Sequence, residues 1–152
     1  MRFDANIVIF LQTRMIPKEK LEGLRIDLQA IAELAAATGV SYFKGSFRKK
    51  AFDGKPWPQA KVDLAGKRRR GSLMVDTAAL MNSVRTAKAT STHVVWAAGN
   101  DKVPYAQVHN EGGRAGRGAG FDMPKRQFMG QSTELEEQID KRIQAYMQKI
   151  FK

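Results

Sequence analysis

The chain has 152 residues and a mass of 17.0 kDa, the size of one domain; its 43% hydrophobic and 27% charged residues are ordinary for a globular protein and argue against a wholly disordered chain. It has no cysteine, which excludes disulfides, thiolate zinc sites, iron–sulfur clusters and cysteine nucleophiles, and two histidines leave little for a histidine metal site, so no cofactor or metal is expected. The formal net charge is +11, which directs attention to polyanionic or acidic partners.

The first apolar run, Ile7 to Leu11, is too short to span a bilayer. Asp4 and Asn6 precede it and no Ala-x-Ala follows, so it does not read as a signal peptide. The expectation is a short strand over 5–12 in a chain kept in a cytoplasm, or released only by lysis, without membrane contact. Pro17 suits the first turn of a helix. Leu21, Leu24, Leu28, Ile31, Leu34 and Ala35 follow at spacings of three and four, one face of an amphipathic helix. Gly39 would end or kink it; otherwise Tyr42, Phe43 and Phe47 carry the face to about Lys50. Phe52 to Pro58 is a turn, with Asp53-Gly54 supplying the positive φ and two prolines forbidding a helix. Residues 59–72 read as a basic loop, and Asp76 or Thr77 as the cap of a short helix over 77–82. Val84–Ala89 and His93–Ala98 read as two strands joined by Thr90-Ser91-Thr92, and Val103–His109 as a helical turn. Five glycines in residues 112–120 predict a mobile loop. Thr133 with Glu136 matches a capping box, and Leu135, Ile139, Ile143, Tyr146, Met147 and Ile150 form the apolar face of a last helix. The expected architecture is α+β in a single domain, 1–152: a long N-terminal amphipathic helix, a small antiparallel sheet, a C-terminal helix, and two mobile basic loops at about 58–72 and 112–122.

The charge is localised. Residues 44–70 carry ten basic and two acidic residues, residues 114–126 four and one, and the rest of the chain is neutral. Lys61, Lys67, Arg68, Arg69, Arg70, Arg114 and Arg117 are therefore the candidate contacts to a polyanion or acidic partner, against the plainer reading of solvated loops. Aromatic interleaving is poor, with Trp57 before the basic loop and Phe121 after the glycine-rich one, so a base-stacking platform has little support.

Catalytic constellations are weak. Ser46-Phe47-Arg48-Lys49 has Ser-x-x-Lys spacing but lacks the companion motifs of serine acylases. The glycine-rich stretch runs into Phe121-Asp122-Met123-Pro124, not the helix a phosphate loop requires. His109 and Glu111, two residues apart, do not face each other on a helix.

Four ordered blocks resemble the phage virion morphogenesis, or tail completion, family of tailed bacteriophages, found in Mu-like phages and prophages. Phe47 followed by Phe52-Asp53-Gly54-Lys55-Pro56-Trp57 resembles the family's phenylalanine and Pro-Asp-Gly-x-x-Trp. Gly71 to Val84, with Thr77, Leu80 and Ser83, resembles Leu-x-x-Thr-Gly-x-Leu-x-x-Ser. Tyr105-Ala106-Gln107-Val108-His109-Asn110-Glu111-Gly112-Gly113 is similar to Tyr-Ala-x-x-His-Gln-x-Gly-Gly. Met123-Pro124-Lys125-Arg126-Gln127-Phe128-Met129-Gly130 is similar to Ile-Pro-Ala-Arg-Pro-Phe-Leu-Gly. Here Phe52 replaces a proline, Ala78 the glycine after Thr77, Asn110 a glutamine and Gln127 a second proline. The resemblance implies a non-enzymatic virion protein made in the host cytoplasm. It would act in tail completion or head–tail joining, as a ring that meets other phage proteins. The two basic segments, not the resemblance, add a further expectation: a positive rim or lumen facing DNA that passes through the ring, or an acidic face on an adjoining ring. The alternative is a small basic nucleic-acid-binding protein.

Overall fold

The computed structural model describes residues 1–6, 27–60 and 71–150. Its central element is a helix, α1, Leu28–Lys49, whose buried stripe (Ile31, Ala35, Gly39, Tyr42, Phe43, Ser46, Phe47) repeats at spacings of three and four. Asp27 Oδ1 accepts the Ala30 amide at 3.0 Å to start the helix. Lys50, left-handed at φ 54°, ends it. The helix ends where the apolar spacing places its end, and it passes straight through Gly39. It begins at Leu28, later than the apolar spacing from Lys18 onward predicts, because Asp27 leaves the helical conformation and caps it; Pro17, Leu21 and Leu24 lie outside the described residues.

The stripe faces a three-stranded antiparallel sheet of order β1-β5-β4: β1 Arg2–Asn6, β4 Arg85–Ala89 and β5 His93–Ala97. The central strand buries Val94 and Trp96 against α1. Phe3 pairs with Trp96 in the β1–β5 register and stacks on it at 5.7 Å, while Phe43 meets Trp96 edge-on at 5.7 Å. Deleting a ring such as Phe43, fully buried, would cost about 3–5 kcal/mol. The first strand thus begins three residues earlier than the β-branched run suggests, because Phe3 completes this aromatic cluster; residues 7–12 lie outside the described region. The β4–β5 hairpin appears where expected, with a bulge between Thr86 and Lys88.

After α1 the chain turns back in a two-stranded hairpin, β2 Ala51–Phe52 and β3 Lys55–Pro56, with Asp53 (φ 49°) and Gly54 (φ 73°) at the tip. A short helix, α2 Ala79–Asn82, precedes β4. The residue before it, Ala78, is left-handed and makes no side-chain cap, so neither Asp76 nor Thr77 caps this helix as expected. Helix α3, Ala106–Glu111, ends at Gly112.

The glycine-rich segment departs most from expectation. Residues 112–122 contain not an irregular loop but a hairpin, β6 Gly113–Ala115 paired antiparallel with β7 Phe121–Met123. Gly116, Gly118 and Gly120 all take positive φ, so the glycines build the connecting turn. The last helix, α4 Thr133–Ile150, packs on α1 through Leu135, Ile139 and Ile143. Its cap is Ser132, one residue before the expected Thr133: Ser132 Oγ accepts the Leu135 amide at 3.2 Å. The hydroxyl of Ser132 also reaches Tyr42 and Asp53, which fixes the helix start there. No described helix is long and apolar enough to cross a membrane.

Candidate functional site

The four motif blocks meet in space. Phe47, on α1, packs on Phe128 at 4.9 Å between centroids and on Trp57 at 5.6 Å. Trp57 Nε1 donates to Gln127 O at 2.6 Å, which ties the segment after β3 to the segment before α4. The Arg126 guanidinium, 5% exposed, donates to Pro58 O at 2.9 Å and Gln59 O at 3.3 Å. Asn110 Oδ1 accepts the amides of Phe128 and Met129 at 2.9 and 3.0 Å, so two buried backbone donors depend on one side chain. Ser83 Oγ donates to Leu80 O and accepts the Gly99 amide, joining α2 to the end of β5. Gly112 sits so close to Lys125 that a Cβ would stand 2.9 Å from its backbone nitrogen. In this structure the motif residues pack and hold backbone.

A second knot joins α1, the β2–β3 hairpin and α4. The Tyr42 hydroxyl donates to Glu134 Oε2 at 3.0 Å and accepts the Asp53 amide at 3.2 Å. Asp53 Oδ1 accepts from Ser132 Oγ at 2.7 Å and from the Glu134 amide at 3.2 Å. The Ser132 bond, then the amide, hold the Asp53 carboxyl below its ordinary range. Burial, and to a lesser degree Glu134, push the Tyr42 hydroxyl up, with the Ser132 bond opposing.

Between the 72–80 segment, α3 and the β6–β7 hairpin lies a groove of about 1120 Å³. Thr77, Leu80, Tyr105, His109, Pro124 and Arg126 from three motif blocks all line it. His109 meets Tyr105 edge-on at 5.6 Å, and its Nδ1 is buried with no hydrogen-bond partner among the described residues. Burial first, then the Arg126 charge, lower the imidazole's affinity for a proton, so His109 is neutral near pH 7.

The candidate cation contacts fall into two groups. Arg114 and Arg117 are exposed on the β6–β7 hairpin, and Arg114 donates to Ala119 O across its turn. Lys61, Lys67, Arg68, Arg69 and Arg70 lie outside the described residues. Trp57, 7% exposed, is a core residue, whereas Phe121 is 56% exposed. The weak catalytic pairs are engaged elsewhere: Ser46 Oγ is buried and bonds Tyr42 O, Lys49 Nζ lies 3.8 Å from Glu134, and Glu111 accepts from Gln107. The sequence motifs pass over Tyr42, Ser132 and Glu134, which are brought together by bonds some 80 to 90 residues apart in sequence. They also pass over Phe121 and Asp122, whose place on a groove wall depends on the hairpin.

Two comparisons bear on identity. The chain is similar to Mu-like prophage FluMu G protein 2 of Haemophilus influenzae, 34% identical over 100 residues, or 65% of this chain. The match spans 65% of that relative's own length. No solved structure matches. Residues 23–148, which contain all four motif blocks, match the phage virion morphogenesis family, and the chain belongs to that family.

Proposed function

We propose that this chain is a non-catalytic structural subunit of a tailed-phage or prophage virion. It acts in tail completion or head–tail joining, as a ring of identical copies assembled in the host cytoplasm. The observation that carries this reading is the use to which the motif residues are put. Phe47, Trp57 and Phe128 interlock, and Arg126 and Asn110 satisfy backbone groups, so the recurring part of the sequence specifies a rigid shape. A subunit that must stack against identical neighbours needs such a shape more than it needs a reactive cleft.

The localised charge suggests what the ring meets. Two cationic segments per copy, repeated by symmetry, would give the ring a positive lumen or rim facing DNA or an acidic face of a neighbouring phage protein. The same charge favours the second reading, a small nucleic-acid-binding protein. Native mass spectrometry of the purified protein, with and without short duplex DNA at two salt concentrations, separates them. Rings formed without DNA support the assembly role. A monomer or dimer that binds DNA with strong salt dependence supports the second reading. Neutralising Lys67 to Arg70 should then lower the salt slope by about 0.9 for each phosphate that the variant no longer neutralises.

A further inference from the structure

We propose that the groove between the 72–80 segment and the β6–β7 hairpin receives the last turns of α4 from a second copy of this chain. The proposal builds on the self-assembly reading above and names its contact.

The groove and the helix end are complementary in shape class, polarity and charge. Three large apolar side chains are exposed among the described residues: Tyr105 (40%), Phe121 (56%) and Ile150 (42%). The first two line the groove. The third ends the stripe of α4, which passes from buried Ile143 through half-buried Met147 to exposed Ile150, so the stripe outruns the core it packs on. Among the described residues, the charged groups of the groove are Asp76, Asp122 and Arg126. Arg126 is buried and directs its guanidinium at the carbonyls of Pro58 and Gln59, whereas both carboxylates are exposed. Asp76 and Asp122 are therefore exposed acceptors for an incoming cation on the groove walls, with Arg114 standing across the hairpin from Asp122. Beside Ile150 stands Lys149, a cation on the apolar helix end. The groove's volume, about 1120 Å³, exceeds that of small-molecule pockets, about 300–1,000 Å³, and suits a helix laid into it. Groove and helix end are different patches, so the contact is head-to-tail, the kind that closes a ring when its rotation is commensurate.

The test uses the absence of cysteine. Phe121→Cys and Ile150→Cys variants, both at exposed positions, are mixed in equal amounts and oxidised mildly with oxidised glutathione; crosslinked dimers are resolved by mass. The expected result is a mixed dimer well above the half of all crosslinked dimers that random encounter gives in an equal mixture, approaching the whole of it, and reduced by added salt and by Asp76→Asn with Asp122→Asn. Mixed dimer at the binomial proportion overturns the proposal, whether the protein is monomeric or multimeric. Native mass spectrometry of the unmodified chain judges the ring separately. Excess mixed dimer with open oligomers keeps the contact and rejects the ring. Closed rings with binomial crosslinking keep the ring and reject the contact.

Discussion

The indole of Trp96 occupies the space above Gly39: a Cβ at position 39 would stand 2.4 Å from Trp96 Cε2. The indole Nε1 donates to Ala36 O at 3.0 Å, so the ring cannot slide away without breaking a buried bond. Helix propensity alone favours alanine over glycine by about 1 kcal/mol, yet here the clash is larger. Gly39→Ala should destabilise the chain by about 1–3 kcal/mol through overpacking. Gly45, on the same helix, has nothing within 4 Å of its missing Cβ, and Gly45→Ala should stabilise by about 0.5–1 kcal/mol. Urea denaturation of the two variants checks the opposite signs.

Ala78 holds the position where the family pattern has glycine, and its φ of 59° lies in the left-handed region. An L-residue there is strained by about 1–2 kcal/mol, while glycine offsets part of the relief through unfolded-chain entropy. Ala78→Gly should therefore raise stability by about 0.5–1 kcal/mol, read as a higher urea midpoint with an unchanged slope.

Asp53 caps α4 from outside that helix. Its carboxylate takes the Glu134 amide while Ser132 takes the next one, so two orphan donors of the first turn are satisfied by different segments. Asp53→Ala should cost about 1–2 kcal/mol. Hydrogen exchange should show the weakening at the first turn of α4 and at the β2–β3 tip before it shows in the sheet.

His109 sets an acid limit. Its folded proton affinity lies below the ordinary pKa of 6.5, so the unfolded chain takes up the proton first. The stability it contributes is complete above 6.5 and is lost as pH falls through the lower folded value. Asp53 adds a second decline, beginning below its ordinary 3.8. Urea midpoints should fall as pH drops below the ordinary 6.5, and His109→Gln should flatten that fall while leaving the one at lower pH. Arg126→Gln should raise the His109 pKa, observable by NMR titration, because it removes the second of the two causes.

The α+β class, the body and end of α1, the β4–β5 hairpin, the face of α4 and the family are all legible along the chain. They rest on hydrophobic period, turn chemistry and motif order, which are local quantities. Other features were settled by packing. Gly39 reads as a helix breaker until Trp96, 57 positions later, is seen to need its missing side chain. Five glycines read as a loop until strand pairing turns their positive φ into a hairpin tip. The cap at Ser132 rather than Thr133 is set by Tyr42 and Asp53, and the groove exists because α3, the 72–80 segment and the hairpin converge. Each of these turns on which distant group fills a space or completes a hydrogen bond, and that pairing is a property of the packed chain rather than of any window along it.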